Sequence, residues 1–504
     1  MQRTRVGRRA ADALIISALA VAGCGSSDDA ASSTPTVYAA YVLLAPGADG
    51  VATVAFARAI VQPGQPECPV LEGAGVPIPM SFRQNPHGFA VDVCEATIPF
   101  GQQLRLSWNQ QALPPVGVNP TRLLVLGDTG CESQNCPGTG AAQPFEAIAR
   151  AAAAVSPAPE LIVHVGDYNY RGTKGSVKVK GSTTTLPVYD AGDDAPDDPE
   201  CQLTSPYVSQ NADYSEEPDN WDNWWHDFFQ PAHALLDRAP WVFVRGNHEL
   251  CSRAGPGWFY FLDASAAAAV GGSGQLECPF QGGDQPPDDS VFNHLRFVPP
   301  YTVDLGTLRI AVIDSANACD GFAPEATTRI YTDQLRQVLD DVRPGITTWI
   351  ATHRPFWATT MPLTSSAGIP PAYESIDQTL QEALARAVAD GSGTLPDEVR
   401  LMVTGHLHAF QSLSFFGDFV APRPPQLVIG DSGVALDTGA PSGAFDATVD
   451  GRATHVVGFA KFGFLHVAEL RADGSWRGAM LDATRSVLAD CDTANLPDSL
   501  CVQR

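Results

Sequence analysis

The chain has 504 residues, 44% hydrophobic and 17% charged, which is enough apolar content to bury one large core or two smaller ones and rules out a disordered chain. Asp plus Glu outnumber Lys plus Arg by 56 to 31, a formal charge of -25, so nucleic acid or any extended polyanion meets repulsion over most of the surface and is excluded as a partner. A small anionic ligand would need a local cation source, and a bound metal ion dominates the electrostatics of its own pocket whatever the net charge outside.

At the N-terminus Arg3, Arg5, Arg8 and Arg9 precede the apolar run Ala13 to Ala22, the pattern of a secretory signal over residues 1–23. The segment Val21-Ala22-Gly23-Cys24 resembles a bacterial lipobox, in which cleavage falls before the cysteine and the cysteine sulfur takes lipid; a plain signal peptide with a chance cysteine is the alternative. The small polar residues of 24–36 then read as a flexible tether. These features predict an exported, periplasmic or cell-surface lipoprotein that touches the membrane through the anchor at Cys24 only, since no later apolar run is long enough to span a bilayer. The ten cysteines after Cys24 are even in number and form no Cys-x-x-Cys pair, which favours disulfides over a zinc site. Cys68 with Cys94 and Cys131 with Cys136 are the expected pairs.

Residues 37–120 alternate short apolar stretches with Pro and Gly breaks, predicting a small β-rich domain or, alternatively, an irregular extension of the main fold. Residues 121–485 form the predicted catalytic domain, and 486–504 a tail. In that domain the run Leu123 to Leu126 leads to Gly127-Asp128, an Ala-rich helix covers Phe145 to Val155, and Leu161 to Val165 leads to Gly166-Asp167. Strand, loop, helix, strand is the signature of an α/β fold whose strand-end loops carry chemistry. Further strands end at Arg245-Gly246-Asn247-His248, Asp314, His353 and Gly405-His406. A polar stretch from Gly172 to Glu200 reads as a surface insertion, and the aromatics of Trp221 to Phe229 recur at the spacing of a buried helix face.

Five short motifs occur in order: Gly127-Asp128-Thr129-Gly130, Gly166-Asp167-Tyr168-Asn169-Tyr170, Gly246-Asn247-His248-Glu249, Ile350-Ala351-Thr352-His353 and Gly405-His406-Leu407-His408. With these the chain resembles the calcineurin-like metallophosphoesterases, and more narrowly the purple acid phosphatases, whose pattern is DxG, GDxxY, GNH[DE], VxxH and GHxH. The resemblance spans about Thr121 to Phe410. It implies a four-layer α/β/β/α sandwich of two mixed sheets with a small N-terminal β-rich domain. The distinguishing pair is Gly130 and Tyr170: relatives outside the purple group place a ligand His two residues after the first Asp, and here Gly stands there while a Tyr can supply the missing donor.

Carried over residue by residue, the resemblance implies one metal ion held by Asp128, Tyr170 and His408 and another by Asn247, His353 and His406, with Asp167 shared. A phenolate is a hard donor suited to Fe(III), with Fe, Zn or Mn as the second ion. His248 is the implied catalytic residue, hydrogen-bonding a phosphoryl oxygen or protonating the leaving group, with Glu249 tuning it. Arg354 could meet a phosphate or serve the structure. His164, His226, His233, His294, His455 and His466 carry no motif and read as packing or surface residues. Between His353 and His406 the sequence lacks the further histidines that the purple group often has there. The implied reaction is hydrolysis of small phosphomonoesters by metal-activated hydroxide. A phosphodiesterase or nucleotide pyrophosphatase on the same centre, or a lipoprotein that binds phosphorylated ligands without turnover, are the alternatives.

Overall fold

The computed structural model describes residues 35–47, 52–131, 143–170, 175–179, 185–188, 212–213, 219–251, 253–264, 275–278, 297–321, 323–360, 374–388, 395–417 and 423–504. The signal segment, Cys24, Cys136, His294 and most of the tether and of the insertion at 172–200 lie outside them. Two mixed sheets organise the described chain. The first runs, in spatial order, Cys501–Gln503, Val487–Asp492, Trp476–Leu481, Phe464–Leu470, Leu123–Leu126, Leu161–His164, Trp241–Phe243, Val37–Pro46, Thr53–Val61, Asp92–Ile98 and Ser81–Phe82. The second runs Tyr301–Asp304, Leu308–Val312, Thr347–Ala351, Val399–Thr404, Gln426–Ile429, Phe410–Phe415, Arg452–Phe459 and Gly443–Val449. Each has a parallel centre flanked by antiparallel strands.

Strand side chains alternate between faces, and these strands are apolar on both. Leu123, Val125, Leu161 and Val163 of the first sheet meet Leu308, Ile310, Trp349, Leu401 and Leu427 of the second in one shared core. Their neighbours Leu124, Leu126 and Ile162 face outward onto the helix Pro144–Ala153 and the aromatics Trp224, Phe228 and Phe229. Ala311, Ile350 and Met402 face the helices Glu325–Asp340 and Gln378–Ala387 on the far side. The result is the expected four layers, helix, sheet, sheet, helix. The aromatic helix near Trp221 is α-helical for Trp221–Trp224 and continues as a π-helical turn over Trp225–Phe229, with Trp224, Phe228 and Phe229 buried.

Two peripheral segments join this architecture. In the N-terminal β-rich region, Val37–Pro46, Thr53–Val61, Asp92–Ile98 and Ser81–Phe82 form the edge of the first sheet, while Val70–Glu72, Ile78–Pro79, Leu104–Leu106 and Ala112–Leu113 pair into a small four-stranded sheet; Leu43 pairs in parallel with Trp241, Val42 and Leu44 enter the inter-sheet core, and Tyr41 enters the helix-side core. The strands of this region that are buried on both faces pack into the main fold. The 486–504 tail likewise supplies two strands, tied by Cys491–Cys501. Cys68–Cys94 is bonded as expected, and Cys251–Cys278 closes the chain just after the Asn247 loop. Cys131 and Cys319 are also disulfide-bonded.

Candidate metal centre

Every motif sits where a central parallel strand ends. Leu123–Leu126 delivers Asp128, Leu161–His164 delivers Asp167, Trp241–Phe243 delivers Asn247 and His248, Thr347–Ala351 delivers His353, and Val399–Thr404 delivers His406. Carboxyl ends of parallel strands open onto a crevice between their connecting loops, so five loops distant in sequence converge. The turns are tight enough to put three non-glycine residues at positive φ: Asp128 at 55°, Asp167 at 58° and His406 at 76°. Such backbone is uncommon for residues with a Cβ and concentrates at functional sites.

The seven expected donors form two groups. In the first, the Tyr170 hydroxyl donates to Asp128 Oδ1 at 3.1 Å and lies 3.3 Å from His408 Nε2, which is 3.8 Å from Asp128 Oδ1. In the second, Asn247 Oδ1 lies 2.8 Å from His353 Nε2 and 3.1 Å from His406 Nδ1. Asp167 joins the two. Its Oδ2 is 3.2 Å from His353 Nε2, and ligand atoms of Asp128, Asp167 and His353 all fall within 4.8 Å of one another. His248 donates its backbone N–H to Asp167 Oδ1 at 3.0 Å and sets its ring against that of Tyr170 at a 43° tilt, centroids 4.0 Å apart. A Cβ added at Gly130 would come within 2.5 Å of Tyr170 Cδ2, so the Tyr170 ring occupies the space that a side chain at 130 would need.

Residues 121–410, more than half of the chain, match the calcineurin-like phosphoesterase family. The chain belongs to that family. It is therefore a phosphoesterase, a hydrolase of a family that depends on two metal ions and acts on small phosphorylated substrates. Its fold is similar to that of a purple acid phosphatase isolated from yellow lupin (Lupinus luteus) seeds, with a TM-score of 0.51 and 13% identity over 94% of this chain and 75% of that one. No curated protein matches the sequence.

The phosphoesterase's donor set fits cations on electrostatic grounds. His353 Nδ1 must donate to the Val165 carbonyl at 2.9 Å, because a carbonyl only accepts, and this leaves the Nε2 lone pair directed at Asn247 Oδ1 and Asp167 Oδ2. Acceptors facing acceptors in a buried site need a positive charge between them. Without one, a proton substitutes: burial would lower the His353 pKa, but the Asp167 carboxylate holds it up at about 9. The same cluster drives its carboxylates apart. Burial, and the neighbouring charge of Asp167, raise Asp128 well above the usual range despite His353, whereas the Asp167 carboxyl, which burial alone would raise, is held well below it by His353 and His248. Burial lowers His248 and His408 and raises the Tyr170 phenol, so that phenol needs a cation to ionise.

Several supporting residues carried little or no sequence signal. Glu249, expected to tune His248, is engaged with the backbone of the motif loops. Its carboxylate accepts backbone N–H groups from Gly246, Asp167, Tyr168 and Asn169 at 2.8–3.2 Å, so one side chain locks the second and third motif loops together. Burial, reinforced by Asp167, pushes it up to about 8. Arg245 donates to Asp314 Oδ2 at 3.0 Å and to the Glu249 carbonyl at 2.8 Å, linking two strand ends. Arg354 does not stand clear to meet a phosphate: its Nη1 lies 2.9 Å from Asp320 Oδ1. His164 is buried, within 2.8 Å of Thr129 Oγ1, where it braces the first two loops, and His466 is also buried. Of these, Glu249 carries a sequence signal as a motif residue and Asp314 by its position at the end of an apolar strand.

Proposed function

We propose that this phosphoesterase is an enzyme of the purple-acid-phosphatase type that hydrolyses small phosphomonoesters. Asp128, Tyr170 and His408 would hold one ion, Fe(III), Asn247, His353 and His406 would hold a second, Fe, Zn or Mn, and Asp167 would serve both. The observation that carries this reading furthest is the exchange at Gly130, whose missing side chain leaves room for the Tyr170 ring beside Asp128 and His408. An aspartate and a phenolate give the first ion hard, anionic donors, whereas the neutral amide and imidazoles around the second leave it more electron-poor. When bound, the ions supply Lewis acidity toward a phosphoryl oxygen and make water acidic enough to attack at neutral pH.

The chain's own contribution is positioning and a proton. His248 is 4% exposed, fixed by its backbone bond to Asp167 and its tilted ring contact with Tyr170. From there it hydrogen-bonds a phosphoryl oxygen or delivers a proton to the leaving oxygen. A phosphate dianion beside a ring that burial keeps neutral favours its protonation. Export and attachment through lipid on Cys24 complete the reading. The described disulfides suit an oxidising compartment, and no described helix is long and apolar enough to cross a membrane.

The test is metal analysis of the purified protein coupled to hydrolysis of p-nitrophenyl phosphate against bis-p-nitrophenyl phosphate. Two ions per chain and a higher kcat/KM on the monoester are expected. Preference for the diester would replace the monoesterase reading, and two bound ions with no turnover of either would leave a phosphate-binding lipoprotein.

A further inference from the structure

Each of the three histidines in the donor set bonds a second partner through the ring or turns one nitrogen away from the site. His353 turns Nδ1 to the Val165 carbonyl, and His408 hydrogen-bonds the backbone at Ala435. His406 differs. Its Nε2 lies 2.8 Å from Asp320 Oδ2, a buried carboxylate, while its Nδ1 faces Asn247 Oδ1. Asp320 is itself held: Arg354 Nη1 lies 2.9 Å from Oδ1, and the adjacent backbone is stitched to the start of the helix Gln378–Ala387 by Gln378 N–H to the Asp320 carbonyl and Thr379 N–H to the Cys319 carbonyl. The disulfide at Cys319 anchors the same loop.

We propose that Asp320 is the positioning residue of the second ion site, fixing His406 as the tautomer protonated at Nε2 so that the Nδ1 lone pair is the one presented beside Asn247 and His353. An ionised carboxylate can only accept, so the 2.8 Å contact requires the proton on Nε2. Arg354 also approaches Nε2, at 3.0 Å, but as a donor it cannot share a nitrogen that already carries a proton, and it is satisfied by Asp320 instead. The Arg354 guanidinium, 2.9 Å from Asp320 Oδ1, is the opposite charge that favours the ionised carboxylate. A carboxylate behind a ligand imidazole fixes its orientation and raises its basicity, and losing it typically lowers metal affinity about 10–100-fold. The inference rests on the proposed assignment of His406 as a ligand.

The experiment is a Zn(II) titration of metal-stripped, full-length mature protein by calorimetry, with histidine 15N resonances recorded before zinc is added. The His406→Ala variant should lose one of two binding events. If it still takes two ions with native affinity, the ligand assignment itself falls. With that established, Asp320→Asn should weaken one event about 10–100-fold, leave the other unchanged, and shift the His406 resonances away from the Nε2-protonated pattern of the wild type. Native affinity at both sites in Asp320→Asn, or weakened binding with an unchanged tautomer, overturns the proposal while leaving His406 a ligand. If Asp320→Asn does not fold, Asp320→Ser, which is smaller than the native side chain and so free of clash, takes its place under the same outcomes.

Discussion

The two donor groups of the centre are built by different means. Asp128, Tyr170 and His408 bring two ionisable oxygens, and this group is held by packing and main chain: His406 N–H donates to both Asp128 oxygens at 3.0–3.1 Å, and Tyr170 rests where Gly130 has no side chain. Asn247, His353 and His406 bring neutral donors, backed by a charged pair, Asp320 with Arg354, and by the Val165 carbonyl. The contrast is one of electrostatic economy. A group that already carries negative charge needs only shape to hold a cation, whereas neutral donors gain basicity and orientation from charge placed one residue further out.

The largest effect should come from Asp167, the one side chain common to both groups. Asp167→Asn keeps the shape and one donor oxygen but removes the shared charge, so both ions should weaken together and turnover should fall by roughly three orders of magnitude or more. Metal counts after dialysis check this, and loss of a single ion would mean that Asp167 is not shared. Next in size is His248→Ala. Metal content should stay near native while turnover drops roughly two to four orders, more on alkyl than on p-nitrophenyl esters. Equal losses on both would point to phosphate binding instead of proton donation.

Smaller and more selective effects separate the halves. With Fe(III) bound, a phenolate-to-iron band should colour the protein, and Tyr170→Phe should abolish the band, whereas Asn247→Ala should keep it, bind the second ion about 10–100-fold more weakly and recover activity in excess metal. A colourless, iron-loaded, active wild type would remove Tyr170 from the ligand set.

The smallest effect lies behind the first sheet. Asp219, which accepts from Gly257 N–H at 2.6 Å and Trp224 Nε1 at 2.8 Å, is pushed up to about 7 by burial. Its folded pKa is thus above the unfolded value of 3.8, so the native state binds the extra proton between these limits. The stability it contributes is full below about pH 4 and is lost as pH rises through about 7. Asp219→Asn should flatten that decline by on the order of 1 kcal/mol, measured as urea midpoints across the window. An unchanged slope would show that Asp219 is ionised throughout.

Much of the centre is legible in the sequence because its residues act through identity at strand ends. Gly166-Asp167 and Gly405-His406 each follow an apolar run, and a side chain placed by one tight turn is fixed by local sequence. Glu249 is legible as a motif residue but not in its role, since its four donors belong to backbone of two loops, 80 residues apart in the chain for Asn169. The pairing of Asp320 and Arg354 behind His406 is legible nowhere, because nothing local marks an aspartate that meets a histidine 86 positions later.

The same division runs through the fold. The apolar runs, their Gly-Asp, Asn-His and His-x-His ends and their order determined by themselves that this chain builds an α/β phosphoesterase centre, because strand periodicity and turn chemistry are encoded within a few residues. Where the fold stops was decided only by tertiary pairing. Val37–Pro46 and Val487–Asp492 look like parts of peripheral segments, yet both complete the first sheet. Val37–Pro46 is placed by the pairing of Leu43 with the distant Trp241, and Val487–Asp492 by its neighbour Trp476–Leu481 together with the burial of Leu488 and Ala489 in the inter-sheet core, and neither choice leaves a trace in the strand's own composition.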